Sequence, residues 1–166
     1  MKSIKEIYKT GKGPSSSHTM GPERAARLLR ETYPEADTFQ VTLYGSLSKT
    51  GVGHGTDTVI REVLAPYPTE ILFSKEDLPE NHPNTMDLTA FCGSKKLGTM
   101  RIESIGGGDI RIPGESLLDT PDVYPENSFA EIKDFCKWRY IGKLSDYVEL
   151  NEGEEIWSFL LNVWQT

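Results

Sequence analysis

The order of helical and strand patterns in this 166-residue sequence predicts an α+β fold, with a mixed or antiparallel sheet and packed helices. Three observations lead to this class. A helical pattern follows Pro22, apolar residues alternate with polar ones over residues 39–44, and two more alternating segments flank a turn at residues 93–96. The paired segments indicate a β-hairpin, which places two antiparallel strands side by side.

The N-terminal part of the chain is predicted to contain two helices. A capping box at residues 3–6 opens a short helix that Gly11 ends. The main helix takes Gly21 or Thr19 as its cap and stops before the Tyr33-Pro34 pair. The apolar positions that recur at helical spacing and should face the core are Ala25, Leu28, Leu29 and Tyr33.

The middle of the chain alternates between strands and irregular segments. Residues 39–44 read as a half-buried strand. The glycine-rich residues 45–57 are predicted to form a loop, and Thr56 or Asp57 should cap the helix that follows and that Pro66 ends. A short strand is expected at residues 71–73.

The second half of the sequence begins with a predicted hairpin of residues 86–92 and 97–105. Three glycines at residues 106–108 indicate a bulge, a flexible exit or a close passage of the backbone past another element. A proline-punctuated connection covers residues 113–125. A capping box at residues 128–131 opens the next helix.

The C-terminal end of the sequence is predicted to be helical around residues 144–150 and over residues 154–165. The last segment is too apolar to be a free tail in water, so we expect it to pack on another domain or on a second copy of the chain. We accordingly divide the chain into a domain of residues 1–142 and a C-terminal helical segment of residues 143–166.

The composition excludes several classes of function. A net charge of −7 argues against a nucleic-acid partner, and no apolar run is long enough to span a membrane. The N-terminus lacks an apolar signal segment, so we expect a cytoplasmic protein. Cys92 and Cys136 stand in no metal-ligand spacing and are predicted to be free core thiols. Two cysteines cannot supply the three or four thiolates of a four-iron cluster.

The strongest candidate site is the stretch of residues 13–22, which holds four hydroxyls and one imidazole at residues 15–19. These residues precede a helix N-terminus, where unpaired N–H groups and the helix dipole favour an anion. A small carboxylate or phosphate could bind there, with His18 as a donor or proton carrier. The alternative is an ordinary capping loop with a structural histidine.

Two other stretches contain the remaining histidines. Residues 50–57 again combine glycines, hydroxyls and a histidine, His54, before a helix. The alternative there is a glycine turn with Asp57 as a cap and His54 on the surface. The sequence His82-Pro83-Asn84 is a turn by propensity alone.

The string GPSSSHTMGPERAA at residues 13–26 resembles the signature of the iron–sulfur-dependent L-serine dehydratases, in the N-terminal β domain of that family. Residues 50–57 and the turn at residues 82–84 are similar to further segments of the same domain. Residues 104–110 resemble its Ser-x-Gly-Gly-Gly-x-Ile segment, although Asp109 replaces the usual aromatic or apolar residue. The resemblance thus extends over most of the chain.

This resemblance implies a lyase that converts L-serine to pyruvate and ammonia. It makes His18 the acid–base or orienting group. The side chains that it places around L-serine are Ser15, Ser16, Ser17, Thr19, His54, His82 and Asn84. It also implies a [4Fe–4S] cluster whose cysteines belong to an α domain or α subunit outside this sequence, toward which residues 143–166 lead.

The same resemblance leaves a second function open. The family's β domain is similar to the allosteric substrate-binding domain of some phosphoglycerate dehydrogenases. The chain could therefore be a regulatory module that binds serine or another small anion and performs no chemistry. On the catalytic hypothesis we expect the chain alone to bind no cofactor and to be inactive, and a homodimer is an alternative to pairing with the α domain.

Overall fold

The structure is a computed structural model that describes residues 1–9, 11–75, 82–115 and 121–165. It divides into two compact units, which we treat separately. The sheet unit comprises residues 11–117, and the helical unit comprises residues 1–10 together with residues 118–166. The division at residue 142 that we derived from the sequence stays a prediction about domains.

The described part of the sheet unit contains three helices, α1 (Met20–Thr32), α2 (Gly45–His54) and α3 (Thr56–Leu64). Its five strands are β1 (Thr38–Leu43), β2 (Thr69–Phe73), β3 (Thr85–Cys92), β4 (Lys95–Gly106) and β5 (Asp109–Arg111). The described part of the helical unit contains a 3₁₀ turn (Ile4–Glu6) and the helices α4 (Phe129–Trp138), α5 (Leu144–Glu152) and α6 (Glu155–Gln165).

The five strands form one mixed sheet in the order β2-β1-β3-β4-β5. β1 and β2 are parallel, with Val41 opposite Ile71, and the other neighbours are antiparallel. The predicted hairpin is confirmed as β3 and β4, joined at Gly93 and Ser94. The α+β class with a mixed sheet is therefore confirmed.

The core of the sheet unit lies between one face of the sheet and the helices. Alternate residues of β1 are buried, as its sequence pattern predicts, and so are Met86, Leu88 and Ala90 of β3. Ala25, Ala26 and Leu29 of α1 and Val59, Ile60 and Leu64 of α3 belong to the same core. Burial of these apolar side chains, at about 1.5–3 kcal/mol for a large one, stabilises the unit.

α1 begins and ends where its sequence predicts. Pro22 lies in the first turn, Thr19 is the N-cap and the helix stops before Tyr33. The Thr19 side chain makes no capping bond, since its hydroxyl donates to the Ser15 carbonyl at 2.7 Å. Gly21 lies so close to β4 that a Cβ at this position would be 2.0 Å from the Ser104 hydroxyl oxygen. The first turn of α1 is thus pressed against the sheet.

The prediction of a loop at residues 45–57 is wrong, because these residues form α2 and the start of α3. Leu47 is fully buried. Gly51 packs closely against Thr56, because a Cβ at position 51 would lie only 3.3 Å from the Thr56 side chain. These contacts outweigh the low helix propensity of glycine and serine. Nor does Thr56 or Asp57 cap α3: the N-cap is Gly55, whose φ of 75° suits glycine.

Two smaller expectations need correction, those for the N-terminal helix and for the burial of Cys92, while the glycines at residues 106–108 are irregular as expected. The N-terminal helix is a single 3₁₀ turn that ends well before Gly11. The glycines at residues 106–108 form the irregular β4–β5 hairpin, and all three have positive φ. Cys92 is exposed at the end of β3 rather than buried, while Cys136 is half-buried on α4. Both cysteines are free thiols, as predicted.

The helical unit has its own small core of Tyr124, Ile132 and Tyr147. The capping box is confirmed, because the Ser128 hydroxyl accepts a hydrogen bond from the amide of Glu131 and opens α4. In α6, Ile156 is fully buried, whereas Trp164 is 88% exposed. None of the helices in the described ranges has the length and apolar character that crossing a membrane requires.

Candidate functional site

A hydrogen-bonded network of hydroxyls surrounds the imidazole of His18. The Nδ1 atom lies 3.2 Å from the Oγ atoms of both Ser15 and Ser17. On the other side of the ring, Nε2 lies 3.0 Å from Oγ1 of Thr50 and 3.2 Å from Oγ of Ser46. Residues from the loop before α1 and from α2 are thereby brought together. We call these five side chains the His18 network.

His18 is held as a neutral imidazole. Its side chain is only 8% exposed, and burial lowers the pKa below the usual 6.5 because it penalises the charged ring. The charge of nearby His54 lowers this pKa further, and a hydrogen bond to the Ser46 backbone acts in the opposite direction. At neutral pH the ring can therefore accept a proton at one nitrogen and donate at the other.

His54 lies on the last turn of α2, beside the ring of His18. The two ring centroids are 4.8 Å apart and the planes are tilted by 40°. Nδ1 of His54 is 3.0 Å from the Thr50 carbonyl oxygen, so this nitrogen donates. His54 is half-buried, and it contacts the His18 network rather than standing apart on the surface.

Three backbone amides at the start of α1 are already paired. The amides of His18 and Thr19 donate to the Ser15 carbonyl at 3.0 and 2.9 Å, and the amide of Gly21 donates to Ser16 at 3.0 Å. An anion at this end of α1 therefore competes with the loop's own carbonyls for these donors. The hydroxyls of the half-buried residues Ser15, Ser16 and Ser17 are the alternative donors.

The turn of residues 82–84 lies at the end of the sheet, directly before β3. The amide of Asn84 donates to Nδ1 of His82 at 3.2 Å, so the proton of neutral His82 resides on Nε2. The carbonyl of Pro83 accepts a 2.7 Å bond from the amide of Ser46. This backbone contact joins the turn to the start of α2 and hence to the His18 network.

Two buried polar atoms in the described ranges have no hydrogen-bond partner, and they lie on neighbouring residues across the β3–β4 pair. They are Oδ1 of Asn84 and Oγ of Ser104. The amide of Ser104 donates to the Asn84 carbonyl at 2.9 Å, and Gly21 covers the Ser104 side chain. Ser104 thus contacts the first turn of α1 at Gly21, and the turn of residues 82–84 contacts Ser104 and Ser46.

Charged side chains near this region are paired with one another. Glu103 is only 4% exposed, and its carboxylate accepts a 2.7 Å bond from Nε of Arg111 and a 3.3 Å bond from the amide of His82. The contacts of the His18 network itself are made by hydroxyls and a second imidazole. A neutral, hydrogen-bonding surface of this kind can orient a small polar molecule.

The residues that are present do not fit an iron–sulfur cluster. Within the described ranges, no three histidine, cysteine or acidic side chains are grouped so that they could hold a metal ion. Cys92 lies at the β3–β4 turn and Cys136 on α4 of the other unit. The prediction that cluster ligands lie outside this chain remains a prediction, and we derive no step through a cluster.

Sequence reasoning missed Ser46, Thr50 and Thr56 as parts of the site. Ser46 and Thr50 are spaced by four residues, which places them on one face of a helix, but we took this segment for a loop. Thr56 donates to the His18 carbonyl at 2.7 Å and is fully buried. The repeated hydroxyls at helical spacing could have indicated the face that meets His18.

Comparisons with known proteins agree with the motifs. Residues 3–66 match the family model "Serine dehydratase beta chain". Over the full length of this chain, it is 30% identical to the L-serine dehydratase of Haemophilus influenzae. Over 99% of this chain's length, it is 28% identical to L-serine dehydratase 2 of Escherichia coli. Over 60% of its length it is 36% identical to the probable L-serine dehydratase beta chain of Bacillus subtilis.

The chain spans about half the length of these relatives. It covers 48% of the Haemophilus influenzae protein, 47% of the Escherichia coli protein and 53% of the Bacillus subtilis beta chain. The part with the family match, residues 3–66, includes the whole His18 network. The network thus lies in the region that the family model matches.

Proposed function

We propose that the chain forms the β part of an L-serine dehydratase, because residues 3–66 match the serine dehydratase beta-chain family and the chain is similar to several L-serine dehydratases. The reaction would convert L-serine to pyruvate and ammonia. The α part that the relatives' greater length suggests would complete the enzyme. This chain would contribute the loop of residues 15–19 to the shared site, and by itself it would be inactive.

The observation that supports this proposal most strongly is the arrangement around His18. A neutral imidazole with hydroxyls on both sides is suited to accept or donate a proton within a polar site. Its low exposure and lowered pKa keep the ring uncharged at neutral pH, which a proton acceptor requires. We therefore assign the acid–base or orienting role to His18.

The serines of the loop are the proposed ligands for the carboxylate of the substrate. The Oγ atoms of Ser15 and Ser17 lie 3.3 Å apart, and Ser16 lies between these two residues in the sequence. Thr19 has a different role in this proposal, because its hydroxyl lies between the carbonyl oxygens of Lys12 and Ser15, shares its one proton with them and so shapes the loop. His54, His82 and Asn84 would line the outer part of the same site.

In the complete enzyme, we propose that a [4Fe–4S] cluster lies on the α part. The resemblance to the iron–sulfur-dependent L-serine dehydratases supports the cluster, and in the described ranges no three histidine, cysteine or acidic side chains are grouped so that they could hold a metal ion. The roles derived for this chain are independent of the cluster. They concern the binding of a carboxylate, the orientation of His18 and the state of its protons.

A regulatory site for serine or another small anion is the second candidate. It is favoured by one observation: both nitrogens of His18 are already hydrogen-bonded within the chain, and its side chain is almost buried. Such a histidine can shape a binding site without exchanging protons with the ligand. The two candidates differ in what a loop substitution does to turnover.

The test compares Ser17→Ala with wild type in the complete enzyme with its α part, measuring pyruvate formation from L-serine. A carboxylate contact is present in both the ground and transition states, so we expect KM to rise more than kcat falls. Ser48→Ala is the matched control, because that hydroxyl donates to the Ser74 carbonyl and makes no bond to His18. Unchanged kcat and KM in Ser17→Ala, with an altered response to an added anion, would favour the regulatory site.

A further inference from the structure

Thr50 of α2 has a hydroxyl with two hydrogen-bond neighbours and only one proton to give. Its Oγ1 lies 2.9 Å from the carbonyl oxygen of Ser46, four residues earlier on the same helix. It also lies 3.0 Å from Nε2 of His18. A carbonyl oxygen can only accept, so the bond to Ser46 uses the hydroxyl proton. Toward His18, the Thr50 oxygen can then only accept.

This constraint determines where the proton of neutral His18 is located. If Nε2 lacked a proton, its lone pair would face a lone pair of Thr50 at 3.0 Å. With the proton on Nε2, a chain of bonds runs from the ring to the Thr50 hydroxyl and on to the Ser46 carbonyl. We propose that Thr50 is a positioning residue that holds His18 in the Nε2–H tautomer.

The consequence appears on the opposite side of the ring. In the Nε2–H tautomer, Nδ1 has a free lone pair and accepts from the hydroxyls of Ser15 and Ser17, each 3.2 Å away. The nitrogen that can take up a proton therefore faces the serine loop. That this nitrogen acts in turnover rests on the proposed function, but the tautomer itself does not.

The neighbouring side chains do not disturb this assignment. The Ser46 hydroxyl, 3.2 Å from Nε2, can rotate to accept or to donate, so it imposes no tautomer. His54 donates from Nδ1 to the Thr50 carbonyl and leaves the Thr50 hydroxyl untouched. Of the two hydroxyls at Nε2, only that of Thr50 is already committed as a donor. The Ser46 backbone that is hydrogen-bonded to the ring also accepts, so it favours the same tautomer, and Thr50→Val separates its effect from that of the Thr50 hydroxyl.

The three histidines of the chain do not all share one predicted tautomer, so they provide internal references. His18 should have its proton on Nε2, as should His82, whose Nδ1 accepts from the amide of Asn84. His54 should have its proton on Nδ1. Two-bond ¹H–¹⁵N correlation spectra of the ¹⁵N-histidine-labelled chain at neutral pH distinguish protonated from unprotonated ring nitrogens, and single substitutions assign each ring.

The variants test whether Thr50 is the cause. Thr50→Val keeps the shape of the side chain and removes the acceptor, so the Nδ1 shift of His18 should move toward that of a protonated nitrogen as the other tautomer becomes populated. Thr50→Ser should retain the wild-type shifts. Ser46→Ala should also retain them, because it leaves the Ser46 carbonyl in place.

An Nδ1–H tautomer of His18 in the wild-type chain would overturn the proposal, and so would wild-type shifts in Thr50→Val. Folding is monitored by the shifts of His82, which lies outside the substituted helix. Thr50 is exposed, so loss of its hydroxyl should not unfold the sheet unit. These spectra do not depend on turnover, so failure of this proposal and failure of the serine dehydratase function give different results.

Discussion

His18 shows how a single side chain is adapted by its surroundings. The ring is almost buried, yet each nitrogen has hydroxyl neighbours. Hydrogen bonds to these hydroxyls offset the free-energy cost of removing the ring nitrogens from water. Burial and the charge of His54 both lower its pKa. The result is an imidazole that stays neutral and keeps a defined orientation between the loop and α2.

The lowered pKa of His18 predicts a specific pH dependence of stability. Below about pH 6.5 the unfolded chain binds a proton at this residue more readily than the folded chain does. The contribution of His18 to the free energy of unfolding is therefore full above pH 6.5 and is lost as the pH falls toward the folded pKa. This contribution is measured by urea unfolding of wild type and His18→Gln at pH 7.5 and 5.5.

Proton uptake by the rest of the chain is common to the two proteins, so the informative quantity is the difference between them. We expect the free energy of unfolding of wild type to fall more between the two pH values than that of His18→Gln. An equal fall in both proteins would show that the pKa of His18 is not lowered by folding.

At the level of single residues, the sequence identified part of the His18 network but not all of its contacts. The hydroxyls of Ser15 and Ser17 and the ring of His18 were identified from their pattern, and the structure brings them together. Ser46 and Thr50 could not be identified as partners, because their contact with His18 joins residues about 30 positions apart. Such a contact arises only when α2 packs beside the loop.

At the level of elements, strands and helices with clear periodicity were predicted from the sequence. α1, β1 and the β3–β4 hairpin lie where the alternation of apolar residues indicates. α2 was missed because its glycines and serines favour turns in isolation. Its helix is stabilised by the buried Leu47 and by the bond from the Ser46 amide to Pro83, neither of which local propensity reveals.

Gly21 on α1 is predicted to be a position where glycine is required for packing. A Cβ there would meet the Ser104 hydroxyl oxygen at 2.0 Å and its Cβ at 2.8 Å. Overpacking of this kind costs about 1–3 kcal/mol, more than the gain of about 0.5–1 kcal/mol in helix propensity. We expect Gly21→Ala to lower the free energy of unfolding by about 1–2 kcal/mol.

Gly53→Ala on α2 is the control for this prediction, because no atom lies within 4 Å of a Cβ at that position. It should be neutral or stabilising by up to about 1 kcal/mol. Chemical denaturation of both variants provides the comparison. A Gly21→Ala variant as stable as Gly53→Ala would mean that α1 is not pressed against β4 as described.

The exposed apolar side chains of α6 are predicted to contribute little to the free energy of unfolding of this chain. Trp164 is 88% exposed and Leu161 is 55% exposed, whereas Ile156 of the same helix is fully buried. Trp164→Ser should change the free energy of unfolding by less than about 0.5 kcal/mol. Ile156→Ala should cost about 2–5 kcal/mol. Equal losses in the two variants would show that Trp164 is covered in solution.

For the whole molecule, the fold class was predicted correctly, while the division of the chain was not tested. The mixed sheet and its helices follow from the order of the patterns. The grouping of the N-terminal residues with α4, α5 and α6 rests on long-range contacts. One is the bond from the Ser3 hydroxyl to the Glu152 carboxylate at 2.6 Å, which no local pattern predicts.

The proposed function has to be tested in the complete enzyme. The relatives are about twice as long as this chain, so turnover has to be measured with the α part present. Iron content is determined in every variant, because a substitution that disturbs assembly could lose the proposed cluster and imitate a catalytic defect. Ser48→Ala again controls for the loss of a hydroxyl outside the His18 network.

The most direct measurement is kcat for L-serine in the His18→Ala variant of that enzyme. Loss of a positioned acid–base group lowers the rate by about 10²–10⁴-fold, and we expect a fall in this range at unchanged iron content, mainly in kcat. A near-wild-type kcat at wild-type iron content would contradict the account and would make the His18 network a binding or regulatory site.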